Sequence, residues 1–155
     1  MGSIIEKFYE AFDQLDAETM VSYYHKDIVF EDPAFGVLKG EQAKNMWRML
    51  CSSQKKDRFK VRASNITTNQ YNGSVHWEAH YIFSKTGRKV HNEIDASFEF
   101  KDGKIIKHTD HFNLHNWAKQ ALGFKGYLIG GTSFFRRKLK SQTNSLLKKF
   151  EKKNI

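Results

Sequence analysis

The chain has 155 residues, of which 39% are hydrophobic and 14% aromatic, so it can bury one core within a single domain. Its one cysteine, Cys51, excludes intrachain disulfides and cysteine-based zinc sites, and the absence of a leader-like or membrane-spanning apolar stretch favours the cytoplasm. The formal charge of +9 lies mostly from Arg136 onward, where eight Lys or Arg accompany one acid, so the rest is nearly neutral.

The first third of the chain predicts three helices and a short strand. Apolar residues recur at helical spacing over residues 4–12, and Ser3 is placed to cap the first turn. A second helical pattern covers residues 17–24, and residues 28–31 are typical of a short strand. After a turn, residues 41–51 predict a third helix.

The pattern then changes to the period of two that is typical of strands. Three hairpin signals, Asn72-Gly73, Thr86-Gly87 and Asp102-Gly103, separate four long strands. The predicted strands are residues 58–68, 74–84, 89–101 and 104–113. Helices followed by an antiparallel meander predict an α+β domain with helices over one face of a curved sheet.

The last part of the chain returns to helical patterns. Residues 116–122 predict one or two helical turns that stop at Gly123. A flexible join is expected over residues 126–131, and residues 133–150 predict a terminal amphipathic helix.

The helix predicted from Ser133 to Phe150 has apolar residues at spacings of four and seven, with basic residues around them. It can pack against its own domain or a dimer mate, which is the usual fate of an amphipathic helix. It can instead lie on an anionic membrane surface, where each basic residue adds about 1 kcal/mol. No nucleic acid is expected as a partner, because the segment lacks a reading motif and has too few aromatic side chains for a stacking platform.

Asp32 ends the short strand and precedes Pro33, the only proline in the chain. Proline pushes the preceding residue towards an extended conformation, so Asp32 is expected at a strand end next to a turn. Desolvation at the mouth of an apolar layer would raise the pKa of this carboxyl and let it act as a base near neutral pH. The alternative is that Asp32 only caps the turn through local hydrogen bonds.

The register of the last hairpin decides whether a second acid/base group forms. With a two-residue turn at Asp102-Gly103, Asp95 would face Asp110, and His108 would lie on the same side of the sheet. Like charges this close raise at least one pKa, as in acid/base sites. With a three-residue turn the register shifts by one residue and the group dissolves.

The hairpin at Thr86-Gly87 leaves the same choice open for the preceding strand. Either the histidine-bearing side or the aromatic side of that strand shares the face of Asp95. The two sides are His76, Glu78, His80 and Ile82, and Trp77, Ala79, Tyr81 and Phe83. The histidine-bearing side is interpreted first as a solvated outer face. No metal is expected there, because His76 and His80 lie too far apart along a strand to chelate easily.

The order of elements, the Glu31-Asp32-Pro33 strand end and the stretch from Phe98 to Phe112 resemble the NTF2-like superfamily, in particular its SnoaL-like and ketosteroid-isomerase-like branches. The resemblance covers about residues 4–123. It implies a cone-shaped, cystatin-like α+β fold with an apolar cavity between helices and sheet, and a homodimer formed through the outer sheet face. It divides the chain into a SnoaL-like domain, residues 1–123, and a basic helical extension, residues 124–155.

Taken residue by residue, the resemblance assigns roles to four side chains. Asp32 matches the proton-shuttling carboxylate of ketosteroid isomerases, and Asp95 matches their second, neutral carboxyl group, which donates a hydrogen bond to the developing oxyanion. His108 and Asp110 resemble the His-x-Asp pair of SnoaL-like cyclases. The first helix departs from the isomerase pattern, since Phe8 stands where the oxyanion tyrosine is expected.

These observations lead to the hypothesis of an enzyme acting on an apolar carbonyl compound such as a polyketide or steroid-like molecule. Asp32 would remove a proton α to the carbonyl, and Asp95, Asp110 or His108 would stabilise the oxygen that gains charge. The expected ligand-binding residues are Phe12, Tyr24, Trp47, His80 and Phe112. We expect an isomerase- or cyclase-type proton transfer rather than epoxide hydrolysis, without cofactor or metal. The alternative is a non-catalytic ligand-binding or adaptor module on the same fold, held at a membrane surface by its basic tail.

Overall fold

The computed structural model describes residues 3–154. The helices are α1 (Ile4–Asp13), α2 (Ala17–Ser22), α3 (Glu41–Ser52), α4 (Leu114–Leu122), α5 (Phe124–Ile129) and α6 (Ser133–Lys153). The strands are β1 (Tyr24–Asp32), β2 (Gly36–Lys39), β3 (Lys60–Thr68), β4 (Asn72–Phe83), β5 (Arg88–Lys101) and β6 (Lys104–His111). A short 3-10 helix, Lys56–Arg58, precedes β3. None of the helices in this range has the length and apolar character needed to cross a membrane.

The strands form one curved, unclosed sheet in the order β2-β1-β6-β5-β4-β3. β1 runs parallel to β6, and the other neighbouring pairs are antiparallel. Helix α1 contacts β3, and α3 contacts β1 and β2, so both helices cover the inner face. The predicted α+β class, with helices over a curved antiparallel meander, is confirmed.

Side chains from the helices and the inner sheet face form the main core. Ile5 and Phe8 of α1 are completely buried in it, and so is Leu147 of α6. A smaller core joins Trp117 of α4 to Phe135 of α6. The basic terminal helix therefore packs on its own domain, which is the first of the two fates considered for it in the sequence analysis.

Three short elements differ from the sequence prediction. Helix α2 ends two residues early, because Tyr24 already belongs to β1 and pairs with Ile105 of β6. β2 replaces a predicted turn, because four residues suffice to pair with β1. The predicted flexible join overlaps the end of α5, which packs Gly126 against the backbone of Ala118. Each difference depends on a contact with another element, whether nearby in sequence as for β2 and α5 or distant as for Tyr24, and the periodicity of a single segment does not reveal such contacts.

The last hairpin has a two-residue turn, the first of the two alternatives that the sequence leaves open, but a bulge follows it. Asp102 and Gly103 have positive φ angles of 53° and 74°, and Lys101 pairs with Lys104. Ile106 then enters β6 as an extra residue, and the register of the hairpin shifts.

The bulge turns the later side chains of β6 to the face opposite to the predicted one. Asp95 pairs with His111 instead of Asp110, and Phe98 pairs with His108. The predicted grouping of Asp95 with Asp110 is therefore wrong. His108 and Asp110 are instead buried inside the domain.

Candidate active site

An apolar cavity of about 550 Å³ lies between the inner sheet face and helices α3 and α6. Its walls are mainly aromatic and aliphatic, including Phe12, Phe30, Trp47, Trp77, Ile94 and Phe112. Within residues 3–154, Asp32 and Asp110 are the only acidic side chains in this lining. An apolar cavity of this size with few polar groups is typical of a small-molecule site.

The parallel pairing of β1 with β6 brings the two carboxyl groups together. Phe30 of β1 pairs with His108 of β6. Two residues further along each strand, and on the same face, lie Asp32 and Asp110. Because neighbouring strands are about 4.8 Å apart, the two carboxyls are neighbours at the inner face.

Asp32 is held by the turn that follows β1. Its Oδ1 accepts hydrogen bonds from the backbone N–H groups of Ala34 at 3.0 Å and Phe35 at 2.6 Å. Burial raises the pKa of Asp32 to about 7; the two backbone hydrogen bonds oppose this rise, and the charge of Asp110 adds to it. Oδ2 has no hydrogen-bond donor among the described residues. The two sequence interpretations of Asp32 are thus compatible, since one oxygen caps the turn and the other is available to a ligand.

His108 lies at the centre of a buried chain of hydrogen bonds. The Nε1 of Trp47 donates to the hydroxyl of Tyr24 at 2.8 Å, and that hydroxyl lies 2.7 Å from Nδ1 of His108. On the other side, Nε2 of His108 lies 2.9 Å from Oδ1 of Asp110. The same oxygen accepts a hydrogen bond from Nε1 of Trp77 at 3.3 Å. The five side chains are buried, so the chain is shielded from water.

The donors and acceptors in this chain match one neutral tautomer of His108. The hydroxyl oxygen of Tyr24 accepts a hydrogen bond from Nε1 of Trp47, and its own O–H is left to donate to Nδ1 of His108. Nε2 of His108 then carries the proton and donates to Asp110. Both ring nitrogens are occupied, and His108 is therefore not free to contact a ligand.

Tyr81 of β4 is a candidate donor that the sequence analysis does not single out. It lines the cavity, and its oxygen accepts a hydrogen bond from Nε1 of Trp117 at 2.7 Å. Its own O–H has no acceptor within the part of the chain that the structure describes. Burial raises the pKa of Tyr81, so the hydroxyl stays protonated at neutral pH. The sequence does place Tyr81 on the aromatic side of β4. It does not say whether that side faces the cavity, because the register of the Thr86-Gly87 hairpin is left open.

Helix α1 keeps an aromatic core where the isomerase tyrosine is expected. The ring of Phe8 stands edge-on to His108 at a centroid distance of 5.6 Å. The hydroxyl of Tyr9 is buried without a hydrogen-bond partner in the described range. Burial, and then the charge of Asp110, raise the pKa of Tyr9 far above its ordinary value. Tyr9 is not part of the cavity lining, so it does not replace the missing tyrosine there.

Two predicted site residues lie on the outer face of the sheet. Asp95 is exposed, and its Oδ1 lies 2.9 Å from Nδ1 of His76. His80 is exposed, and its ring stacks on that of His91 at a centroid distance of 4.0 Å. Neither Asp95 nor His80 lines the cavity. The bulge in β6 and the register of β4 with β5 separate both from the inner carboxyls.

The other predicted ligand contacts lie on the inner side. Phe12, Trp47 and Phe112 line the cavity. Tyr24 does not, because its place in β1 directs its hydroxyl into the buried hydrogen-bond chain. The histidine-bearing side of β4 is the outer face, in agreement with its interpretation as a solvated surface.

The outer face holds the only groups of side chains, within residues 3–154, that could share a metal ion. One group is Glu78, His80 and His91, and the other is His76, Glu78 and Glu93. In each, the donor atoms lie within 4.8 Å of one another. The members of each group come from the two neighbouring strands β4 and β5. The expectation of no metal rests only on the spacing of His76 and His80 along one strand. The absence of a metal stays a prediction.

A sequence model of the SnoaL-like domain matches residues 5–108. This match covers more than half of the chain and includes Asp32 and His108, and Asp110 follows just beyond its end. No curated protein matches the chain.

Several solved structures share the fold. A proposed polyketide cyclase from Xanthomonas campestris pv. campestris is 20% identical with a TM-score of 0.61, over 76% of this chain and 93% of its own. An LEH-like epoxide hydrolase from M. tuberculosis is 22% identical with a TM-score of 0.60, over 82% and 88%. A Catenulispora acidiphila protein with a ketosteroid isomerase-like fold, in complex with trimethylamine, is 11% identical with a TM-score of 0.65, over 76% and 91%. These likenesses show a common architecture.

Proposed function

The chain belongs to the SnoaL-like domain family, and we propose that it is an acid/base enzyme that moves a proton next to the carbonyl group of an apolar small molecule. The observation that carries this proposal is Asp32, a carboxyl with a pKa of about 7 in an apolar cavity, with one oxygen free of protein donors. A base with this pKa is about half ionised at neutral pH, and its ionised form accepts a proton readily.

The proposed reaction begins with proton removal. Oδ2 of Asp32 takes a proton from the carbon α to the carbonyl. The C–H electron pair becomes the new C=C bond of an enolate, and the π pair of the carbonyl moves onto its oxygen. The O–H of Tyr81 donates a hydrogen bond to this oxyanion and stabilises it. The proton on Asp32 then returns to another carbon of the conjugated system, which is an isomerisation. In a cyclisation, the enolate carbon instead attacks a second carbonyl of the same molecule and forms a C–C bond. The π pair of that carbonyl moves onto its oxygen, and this alkoxide takes the proton back from Asp32.

Asp110 and His108 act in this proposal as positioning residues. The charge of Asp110 contributes to the raised pKa of Asp32. His108 and Trp77 hold the Asp110 carboxyl through two hydrogen bonds, so its negative charge is kept at a fixed position next to Asp32. The role of oxyanion donor, expected for Asp95, Asp110 or His108, is here given to Tyr81. Asp95 lies outside the cavity, Asp110 and His108 are engaged with each other, and Tyr81 lines the cavity with an O–H free of acceptors among the described residues.

The walls of the cavity support an uncharged ring compound as the substrate class. The side chains of Trp47, Trp77 and Phe112 present aromatic surface, which favours flat or polycyclic molecules. The two carboxyls disfavour an anionic group near the reacting carbon. A polyketide-like ketone satisfies both conditions.

The test is hydrogen exchange in D₂O above the pKa of Asp32, with the full chain and a panel of uncharged aromatic and polycyclic ketones. Deuterium entry at the α carbon is followed by NMR. We expect the protein to accelerate exchange, and Asp32→Asn to slow it by about 100-fold or more. Tyr81→Phe should slow it by about 100- to 1,000-fold, because one oxyanion donor is lost.

Asp27→Asn is the matched control, because Asp27 lies on the same strand with a side chain that is 69% exposed. It should exchange substrate as fast as the parent protein. Equal rates in the parent and Asp32→Asn would remove Asp32 as the base. Ketones that shift the NMR signals of cavity residues without any exchange would instead favour the non-catalytic binding module.

A further inference from the structure

Helix α5 and the first turn of α6 expose large apolar side chains to solvent. Phe124 is 76% exposed, Tyr127 58%, Leu128 59% and Phe134 60%. They account for four of the seven large hydrophobic residues exposed within residues 3–154. Single exposed hydrophobics are ordinary, whereas a group within one short segment marks an interaction surface. We refer to these four residues as the aromatic patch.

The backbone packing of α5 directs the patch outward. Gly126 is buried, and a Cβ there would overlap the backbone carbonyl of Ala118 in α4. A Cβ at Gly130 would likewise overlap the carbonyl of Gly126. The glycine side of α5 therefore packs inward and the aromatic side faces solvent. This is the reverse of an ordinary surface helix, which buries its large apolar residues.

Cations surround the aromatic patch. Nζ of Lys119 lies 5.6 Å from the ring centre of Tyr127, and Nζ of Lys138 lies 5.9 Å from that of Phe134. Lys125, Arg136 and Arg137 are also exposed in this region. From residue 119 to residue 150 the sequence contains no Asp or Glu. The segment is therefore both apolar and uniformly positive.

We propose that the aromatic patch docks on an anionic lipid bilayer. Aromatic and leucine side chains on one helical face enter the boundary between headgroups and acyl chains, and surrounding Lys and Arg bind lipid phosphates. Lysine side chains can lie along the rings and keep their charge at the headgroup level. A protein partner fits less well, because the cores of protein interfaces are depleted in lysine.

This surface differs from the one considered in the sequence analysis. That hypothesis used the apolar face of α6, including Phe135, Leu139 and Leu146. In the structure Phe135 is buried and Leu139 is half-buried, and both Leu139 and Leu146 line the cavity. Leu146 is still 44% exposed, but it is the only one of the three that is, so most of that face is already covered. Membrane contact is instead assigned to α5 and the start of α6, and this assignment does not depend on the proposed chemistry.

The experiment is sedimentation of the full chain with vesicles of phosphatidylcholine, with or without one third phosphatidylglycerol. We expect binding to the anionic vesicles, little binding to the neutral ones, and weakening by added salt. Replacing Phe124, Tyr127 and Leu128 together with serine should weaken binding by at least about tenfold, because the inserted apolar area is lost. Circular dichroism checks that the variant is folded.

Tyr71→Ser is the matched control, because Tyr71 is 67% exposed but lies outside the patch; it should bind as the parent does. As a second measurement, the emission of a Tyr127→Trp variant should shift to the blue when anionic vesicles are added. Unchanged binding of the triple variant, or the absence of this shift, would overturn the proposal. Self-association that depends on the patch, without vesicle binding, would assign the patch to a second copy of the chain and would also overturn it.

Discussion

At the scale of the residue, the two oxygens of Asp32 have different environments. Oδ1 accepts two backbone N–H groups, and Oδ2 accepts none within the described chain. The hydrogen bonds favour the charged carboxylate, but burial disfavours it more, so the pKa rises to about 7. The folded protein therefore tolerates the ionised form at a cost, and this form is the one that removes a proton.

We expect Asp32→Asn to stabilise the protein above pH 7 while it removes activity. The pKa of the folded state is about 7 against an ordinary value of 3.8. As the pH rises from 3.8 towards 7, the unfolded chain ionises while the folded one stays neutral, so stability falls. The loss is at most about 4 kcal/mol at 1.36 kcal/mol per pH unit, and the variant avoids it. Thermal unfolding at high and low pH measures the difference.

The comparison variant is again Asp27→Asn, whose melting temperature should follow that of the parent at both pH values. The difference between Asp32→Asn and the parent should vanish below the ordinary pKa of aspartate, where both proteins are neutral at this position. A variant that is less stable than the parent at high pH would contradict the raised pKa.

Tyr24→Phe should destabilise the protein by about 1–3 kcal/mol. The substitution removes a hydroxyl that joins Nε1 of Trp47 to Nδ1 of His108, and leaves both buried groups without a partner. Tyr23→Phe is the control, because Tyr23 is its partly exposed neighbour and makes no side-chain hydrogen bond in the described structure. Urea unfolding compares the two; equal midpoints would show that the hydrogen-bond chain adds nothing to stability.

The sequence predicts some of these residues well and others not at all. Asp32 could be found because Pro33 and the end of an apolar run act locally on its backbone. Tyr81 could not, because its direction depends on the pairing of β4 with β5, which the hairpin sequence leaves open. The grouping of Asp95 with Asp110 is wrong for a related reason. One extra residue in β6 turns Asp110 to the inner face, while Asp95 of β5 stays on the outer face.

At the scale of the element, the bulge in β6 determines which residues reach the cavity. The Asp102-Gly103 turn is predictable, because a two-residue hairpin turn of type I′ needs positive φ at both residues and Asp-Gly is one of the pairs that adopt it most readily. The bulge at Ile106 is not predictable in this way, because it depends on how β6 pairs with β5 and β1 and not on the residues of the turn. Two consecutive isoleucines in a strand of period two are the only local sign of it.

Leu147→Ala in α6 should destabilise the protein by about 2–5 kcal/mol. Leu147 is completely buried in the main core, so truncation leaves a cavity there. Leu128→Ala in α5 is the control, because Leu128 is 59% exposed and its loss should change stability by less than about 0.5 kcal/mol. Urea unfolding gives both values. Similar effects of the two substitutions would mean that α6 is not part of the core.

At the scale of the whole molecule, we expect a single cooperative unfolding transition. α6 shares its core with α1 and the sheet, and Thr143 and Asn144 of α6 bond the backbone of the turn after β1. Urea curves followed by tryptophan fluorescence and by far-UV circular dichroism should therefore coincide. An early loss of helical signal with constant fluorescence would show that α6 unfolds alone. The homodimer implied by the resemblance stays a prediction.

The position of Asp32 at one wall of the cavity has a stereochemical consequence. A bound molecule presents only one of its two sides to β1, where this carboxyl is fixed by the turn. If the same group removes and returns the hydrogen, both events occur on that side, and the migration is suprafacial. A substrate with deuterium on one prochiral position would carry the label to the same side of the product, and label on the opposite side would require a second proton carrier.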